Sequence, residues 1–135
     1  MRLAAAKSPK GAVARREQML NERARSAAMR KVFPQVEQLR IELAFGDTRI
    51  LTPSPQVHTL YAAATAFFRF ACPCADCDGD FDLTDAVTAL AESGDHASRG
   101  QLICGGTRRD HPLGGPACSV RLDYRLTSKP MGTVR

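Results

Sequence analysis

Residues 70–79 read Phe-Ala-Cys-Pro-Cys-Ala-Asp-Cys-Asp-Gly and carry three of the five cysteines in this 135-residue chain. The other two, Cys104 in LICGGTRR and Cys118 in GPACSVRL, stand alone further along. Asp78-Gly79, directly after Cys77, suits a tight turn whose backbone N–H groups can bond to sulfur, and three cysteines spaced this closely around Asp76 make a poor buried strand. The odd number of cysteines also argues against complete disulfide pairing. The pattern therefore predicts a metal site.

Zinc prefers tetrahedral sulfur ligands, and two of them commonly come from one loop with about two to four residues between them. Cys74-x2-Cys77 and Cys72-x4-Cys77 both fit this rule, and the tighter spacing favours Cys74. If the Gly/Pro-rich segment after Cys104 folds back as a hairpin, Cys118 comes to lie beside Cys104. We therefore predict a Zn²⁺ site formed by Cys74, Cys77, Cys104 and Cys118, with Cys72 as the alternative to Cys74.

A cysteine knuckle on one hairpin and a second cysteine pair from another resemble a zinc ribbon, over roughly residues 67–126. The likeness is one of fold, and the thirteen residues between the second pair depart from the usual tight knuckle. The resemblance implies a structural zinc site closed by four sulfurs, with no coordinated water left for hydrolysis. This favours a non-enzymatic module. Thiol-redox chemistry at Cys74-x2-Cys77 is the alternative for the same cysteines.

Alternating apolar and polar residues predict an antiparallel sheet. One apolar face comprises Leu39, Ile41, Leu43 and Phe45, and another comprises Val120, Leu122, Tyr124 and Leu126. Further strands are expected at 48–51, 57–61, 67–71 and 98–104. A helix is expected over Thr84–Ser93, with Thr84 as its N-cap and Gly94 just past its end. The fold class is thus α+β, with about five strands, one inserted helix and a basic N-terminal helix.

Charge divides the chain into a basic arm and a mildly acidic body. Residues 1–31 carry nine Lys/Arg against two Glu, whereas residues 32–135 carry ten basic and twelve acidic side chains. Good helix formers from about Ala12 to Val32 predict a weakly packed helix that Pro34 ends. The predicted organisation is a basic tail and helix over 1–34, a zinc-stapled domain over 35–128 and a flexible tail over 129–135.

The arm favours contact with nucleic acid or a ribonucleoprotein, because a helix bearing many cations can neutralise phosphates. The residues expected to make this contact are Arg15, Arg16, Arg23, Arg25, Arg30 and Lys31. The alternatives are a solvated helix with no partner and a protein–protein adaptor whose arm docks on an acidic partner. Stacking aromatics are absent from the arm, which argues against base-specific reading.

The remaining candidates are weaker. The acidic run after Asp76 does not match a calcium loop, since Phe81 and Val87 occupy the glycine and glutamate positions. His111 is a less favoured metal ligand, and His58 is expected to be a half-buried structural residue. No stretch approaches the roughly 18 apolar residues of a membrane span. The N-terminal segment lacks the continuous apolar region of a signal peptide, and the cysteines are expected to be reduced. Both expectations favour a cytoplasmic location.

Overall fold

The computed structural model describes residues 10–46, 55–74, 77, 79–105, 118 and 120–132. Its elements follow one another along the chain as α1 (Lys10–Arg25), α2 (Met29–Val32), β1 (Val36–Gly46), β2 (Gln56–Tyr61), β3 (Arg69–Ala71), β4 (Asp80–Asp82), α3 (Thr84–Ser93), β5 (Ala97–Ile103) and β6 (Arg121–Pro130). The predicted α+β class is confirmed. Within the described ranges the strands form one four-stranded and one two-stranded antiparallel sheet, so they number six in two sheets.

The four-stranded sheet has the order β2-β1-β6-β5, with the two longest strands at its centre. Ile41 lies opposite Leu126 and Phe45 opposite Leu122, so the two predicted apolar faces coincide. All four of these side chains are buried. We call this the inner face of the sheet. The opposite, outer face carries the alternate residues of each strand, which are mostly polar and mostly exposed, with Val57, Tyr61 and Ile103 as exposed apolar exceptions.

The β3–β4 hairpin and α3 cover the inner face. The rings of Phe45 in β1 and Phe81 in β4 lie 5.5 Å apart between centroids and join the two sheets. Val87 and Leu90, one helical turn apart, form the buried side of α3. The core is therefore a layer of aliphatic and phenylalanine side chains between the sheet and these two elements. The cysteine cluster lies in the same layer.

The predicted continuous helix from Ala12 to Val32 is wrong, because the chain leaves the helix after Arg25. The backbone of Ala27 accepts a hydrogen bond from Ala66 N–H at 2.7 Å, and Met29 N–H donates to the Ala64 carbonyl at 2.7 Å. These bonds to a distant segment replace helical ones. A separate four-residue helix, α2, then follows.

The start of α3 also differs from expectation in its cap. The helix begins at Thr84, but the side chain of Asp82 accepts hydrogen bonds from the Thr84 backbone N–H at 2.9 Å and from its hydroxyl at 2.5 Å. Asp82 thus satisfies a free donor at the helix start in place of Thr84. The C-terminal prediction is confirmed, since Gly94 adopts the left-handed conformation with φ of 82°.

Some predicted features lie outside the described residues, namely the strand at 48–51 and the candidate ligand His111. β2 begins directly after Pro55 and forms one edge of the four-stranded sheet. Across the part of the chain that is described, no helix is long and apolar enough to cross a membrane.

Candidate metal centre

Four cysteines meet in the core at the junction of the two sheets. The Sγ atoms of Cys72, Cys77, Cys104 and Cys118 all lie within 4.8 Å of one another. Each of the four side chains is at most 4% exposed. Two of them belong to the β3–β4 hairpin and two to the ends of β5 and β6, although the two groups are far apart in sequence. The fold therefore closes a four-sulfur cluster from both sheets.

Backbone hydrogen bonds fix both halves of the cluster. In the hairpin, Cys72 N–H donates to the Gly79 carbonyl at 3.1 Å and Cys77 N–H to the Cys74 carbonyl at 3.2 Å. In the larger sheet, Cys104 N–H donates to the Val120 carbonyl at 2.9 Å, which continues the β5–β6 pairing beyond Ile103. These bonds therefore hold the backbones of Cys72, Cys77 and Cys104 in place at the junction of the two sheets.

The sulfur separations fit a tetrahedral metal site. Cys72 Sγ lies 3.7 Å from Cys118 Sγ, and Cys77 Sγ lies 3.5 Å from Cys104 Sγ. A tetrahedron with Zn–S bonds of about 2.3 Å has sulfur–sulfur edges of about 3.8 Å. A disulfide would require about 2.05 Å. The cluster is thus compatible with a metal ion held by four sulfurs.

The backbone N–H of Gly79 donates to Cys77 Sγ at 3.3 Å. The sequence predicted this kind of bond from the Asp-Gly pair after Cys77. Such N–H···S bonds orient a ligand and stabilise a thiolate in metal sites. The segment between β3 and β4 therefore supplies two of the four thiols, Cys72 and Cys77, and also a backbone N–H that contacts the Cys77 sulfur.

The preference for Cys74 over Cys72 does not agree with this geometry. Cys72 directly follows β3 and is 1% exposed, whereas Cys74 is half-buried and outside the four-sulfur cluster. Cys74 contributes its backbone carbonyl to the turn that brings Cys77 into place. The end of β3 places Cys72, and not Cys74, in the cluster, and spacing rules take no account of where a strand ends. Cys77, Cys104 and Cys118 lie together as expected.

Burial shifts the acidity of the clustered thiols. The pKa of Cys72 lies far above its ordinary value; burial is the largest cause, and neighbouring thiols raise the pKa further. Burial likewise raises the pKa of Cys77 to about 12. Burial also acts to raise the pKa of Cys118, but hydrogen bonds from the Val120 backbone and the other three thiols outweigh it and lower that pKa. Without a cation, Cys72 and Cys77 therefore favour the neutral thiol, whereas the surroundings of Cys118 favour its thiolate.

Helix α1 lies against the cysteine loop and contacts it through Arg16. The Arg16 guanidinium donates to the backbone carbonyls of Cys72 and Cys74, each at 3.2 Å. These two carbonyls belong to the segment that carries the first clustered thiol. Arg16 therefore restrains the loop from outside, as an outer contact does around a metal site.

Ion pairs extend this contact between α1 and the hairpin. Asp80 in β4 pairs with Arg15 of α1 and, at 2.7 Å, with Arg69 of β3. Arg69 in turn pairs with Glu22 of α1 at 2.5 Å. All four side chains are largely shielded from water, so the network is worth more than an exposed pair. Sequence reasoning missed it, because no local pattern links α1 to residues so distant in the chain.

The six basic residues predicted to contact nucleic acid have different surroundings. Arg15 and Arg16 face the hairpin, and the Arg23 guanidinium lies 5.5 Å from the centroid of the Phe67 ring. The rest, Arg25, Arg30 and Lys31, are exposed. The arm thus divides into an inward-facing part that packs on the domain and a part open to solvent.

His58 is half-buried on the inner face of β2, with its ring 5.0 Å from that of Phe70 between centroids. It is part of the packing near α1 and not of the cysteine cluster. Burial, followed by the positive charge of Arg23, lowers the pKa of His58 below its ordinary value of 6.5. The expectation of a half-buried His58 agrees with this position.

Fold and site together define an α+β chain in which a buried four-cysteine cluster, compatible with a metal ion, joins two antiparallel sheets. Comparisons with family models, curated proteins and solved structures find no match to this chain.

Proposed function

We propose that Cys72, Cys77, Cys104 and Cys118 hold one structural Zn²⁺ and that the protein is a small, non-enzymatic binding module of zinc-ribbon type. The observation that carries this proposal is the four-sulfur cluster, with separations close to a tetrahedral edge. Four thiolates complete the coordination of zinc and leave no position for a reacting water. The metal would stabilise the fold by tying the β3–β4 hairpin to the ends of β5 and β6.

Native mass spectrometry of the protein, purified without added reductant, tests this proposal when compared with the denatured mass. We expect one zinc per chain in the native state, lost on denaturation in acid. Iron bound to the same four sulfurs would keep the site and change its metal, since tetrahedral sulfur sites also suit iron. A metal-free chain lighter by two hydrogens per cysteine pair would contradict the proposal and indicate the thiol-redox alternative.

For the module's partner, we propose nucleic acid or a ribonucleoprotein, contacted in part by the arm. Exposed Arg25, Arg30 and Lys31 at the end of α1 and in α2 support this, and none of them forms an ion pair with another described residue. Their contribution would weaken steeply as salt is raised, because binding releases counterions from the phosphates. Salt-insensitive affinity for an acidic protein, with none for RNA or DNA, would instead favour the adaptor role.

A further inference from the structure

The outer face of the four-stranded sheet is an open, concave surface lined by arginine. A groove of about 630 Å³ crosses β1, β6 and β5 where Glu42, Asp123, Arg125 and Arg99 project. A second hollow of about 340 Å³ adjoins it and shares Arg99 and Arg125. None of the described helices or the β3–β4 hairpin covers this face, because they pack on the inner one.

Two like charges stand directly opposite each other in this groove. Arg99 of β5 is the register partner of Arg125 of β6, and both are exposed. Like charges at directly opposed positions destabilise a sheet. Neither arginine forms an ion pair with any described residue. An anion bound between the two guanidinium groups would relieve this repulsion, and arginine forks suit phosphate geometry.

The two carboxylates nearby are each directed to a different arginine. Glu42 lies 3.7 Å from Arg40, and Asp123 lies 3.9 Å from Arg121, both measured between side-chain nitrogen and oxygen. These long, exposed pairs are weak. Glu42 is also the register partner of Arg125 on the β1 side of β6. This row of one carboxylate and two guanidinium groups is therefore net positive, with the excess charge at its β5 end.

Charge is distributed unevenly between this face and the rest of the body. Five of the six basic residues that the structure describes in 32–135 lie on the outer face, with three of the eight described acidic ones on it or at its margin. The other described residues of the body carry one basic and five acidic side chains. The basic members of the face are Arg40, Arg99, Arg121, Arg125 and Lys129. Among the described residues, the outer face is therefore electropositive and the rest of the body is acidic.

The same face offers an aromatic ring and a row of cations along one strand. Arg121, Arg125 and Lys129 recur every fourth residue of β6, which places them about 13 Å apart at about 3.3 Å per residue. Tyr61 of β2 lies opposite Gln38 of β1, which in turn lies opposite Lys129 of β6. The Tyr61 side chain is 58% exposed. Spaced cations with an exposed ring are the combination that binds single-stranded nucleic acid without sequence preference.

We propose that the outer face of the sheet binds single-stranded nucleic acid through its phosphates, with the Arg99–Arg125 pair as the principal contact. This inference extends the proposed nucleic-acid role from the arm to the sheet, and it depends on zinc only for the fold. The strand would run along β6, with its backbone over the arginines and one base against Tyr61.

The test uses zinc-loaded full-length protein and a fluorescent twelve-nucleotide oligo(U) probe over a series of salt concentrations. We expect R99Q/R125Q to weaken binding at least tenfold at low salt. Two lost phosphate contacts should also reduce the slope of log K against log salt by about 1.4, at about 0.7 per contact for single strands. The comparison variant, R25Q/R30Q, removes the same charge from the arm and should weaken binding less than R99Q/R125Q does.

Three results would overturn the inference. These are equal losses in both double variants, undiminished binding by R99Q/R125Q, and equal affinity of the wild type for a twelve-base-pair duplex. Undiminished binding by R99Q/R125Q with a large loss in R25Q/R30Q would leave the arm proposal standing alone. Zinc content and melting temperature, measured for every variant, separate loss of the fold from loss of binding. We expect R99Q/R125Q to melt no lower than the wild type, because the substitution removes a repulsive pair.

Discussion

The Sγ atoms of Cys77 and Cys104 lie 3.5 Å apart although the two residues are 27 positions apart in the chain. One belongs to the turn of the β3–β4 hairpin and the other follows β5, so this approach joins the two sheets. The hairpin itself has only two strands of three residues each, too little structure to be stable alone. The contact between these thiols therefore identifies the place where a metal would stabilise the fold most.

Cys72 and Cys74 provide the sharpest pair of substitutions. We expect Cys72→Ser to lose the metal and to lower the free energy of unfolding by about 3 kcal/mol or more, because metal binding is coupled to folding. Cys74→Ser should keep one metal per chain, since its sulfur lies outside the cluster. Metal analysis and thermal melting check both variants. Metal loss from Cys74→Ser with retention by Cys72→Ser would reverse the assignment.

Arg16 should affect metal affinity without touching a sulfur. Its guanidinium holds the carbonyls of Cys72 and Cys74, and loss of such outer contacts typically costs 10–100-fold in metal affinity. We expect Arg16→Gln to weaken zinc binding by about tenfold, measured by competition with a chelator of known affinity. Arg25→Gln, an exposed substitution of the same charge on the same helix, is the control. Equal zinc affinity in the two variants would show that α1 does not support the site.

Gly100 is required by the side chain opposite it. A Cβ atom at this position would lie 2.5 Å from the hydroxyl of Tyr124 and 2.8 Å from its ring, closer than packing allows. We expect Gly100→Ala to destabilise the protein by about 1–3 kcal/mol, as overpacking does. In a Tyr124→Ala background the same substitution should cost far less. A double-mutant cycle from chemical denaturation measures the difference, and additive effects would exclude the steric explanation.

His58 should titrate below its ordinary pKa of 6.5 in the folded protein, because burial and then Arg23 disfavour its charged form. Between the folded and unfolded pKa values the unfolded chain binds more protons. The stability that His58 contributes is therefore fully present above the unfolded pKa and is lost as pH falls through the folded one. NMR titration checks the shift. Arg23→Gln should raise the pKa and Arg25→Gln should not; an unshifted His58 in the wild type would contradict the account.

Much of the fold was accessible from the sequence, because alternation is a local signal. The apolar residues at every second position of β1 and β6 predict strands whose buried faces coincide, and Gly94 predicts the end of α3. The helix break after Arg25 was not accessible. It depends on backbone bonds between Ala27 and Ala66, which a sequence does not display.

The candidate site was predictable in its chemistry and less so in its geometry. Three cysteines in one short stretch, with two more downstream, indicate a metal site. The choice between Cys72 and Cys74 depends on where β3 ends, and spacing alone points to the other residue. The docking of Arg16 on the cysteine loop depends on tertiary packing and has no local signature.

X-ray absorption at the zinc edge of the purified wild-type protein tests the central claim most directly. Four sulfur neighbours at about 2.3 Å, with no nitrogen or oxygen in the first shell, is the expected result. It would establish a closed site formed by both sheets. A first shell containing nitrogen or oxygen, or a protein that holds no metal, would contradict the account and indicate an open metal site or redox chemistry of the cysteines.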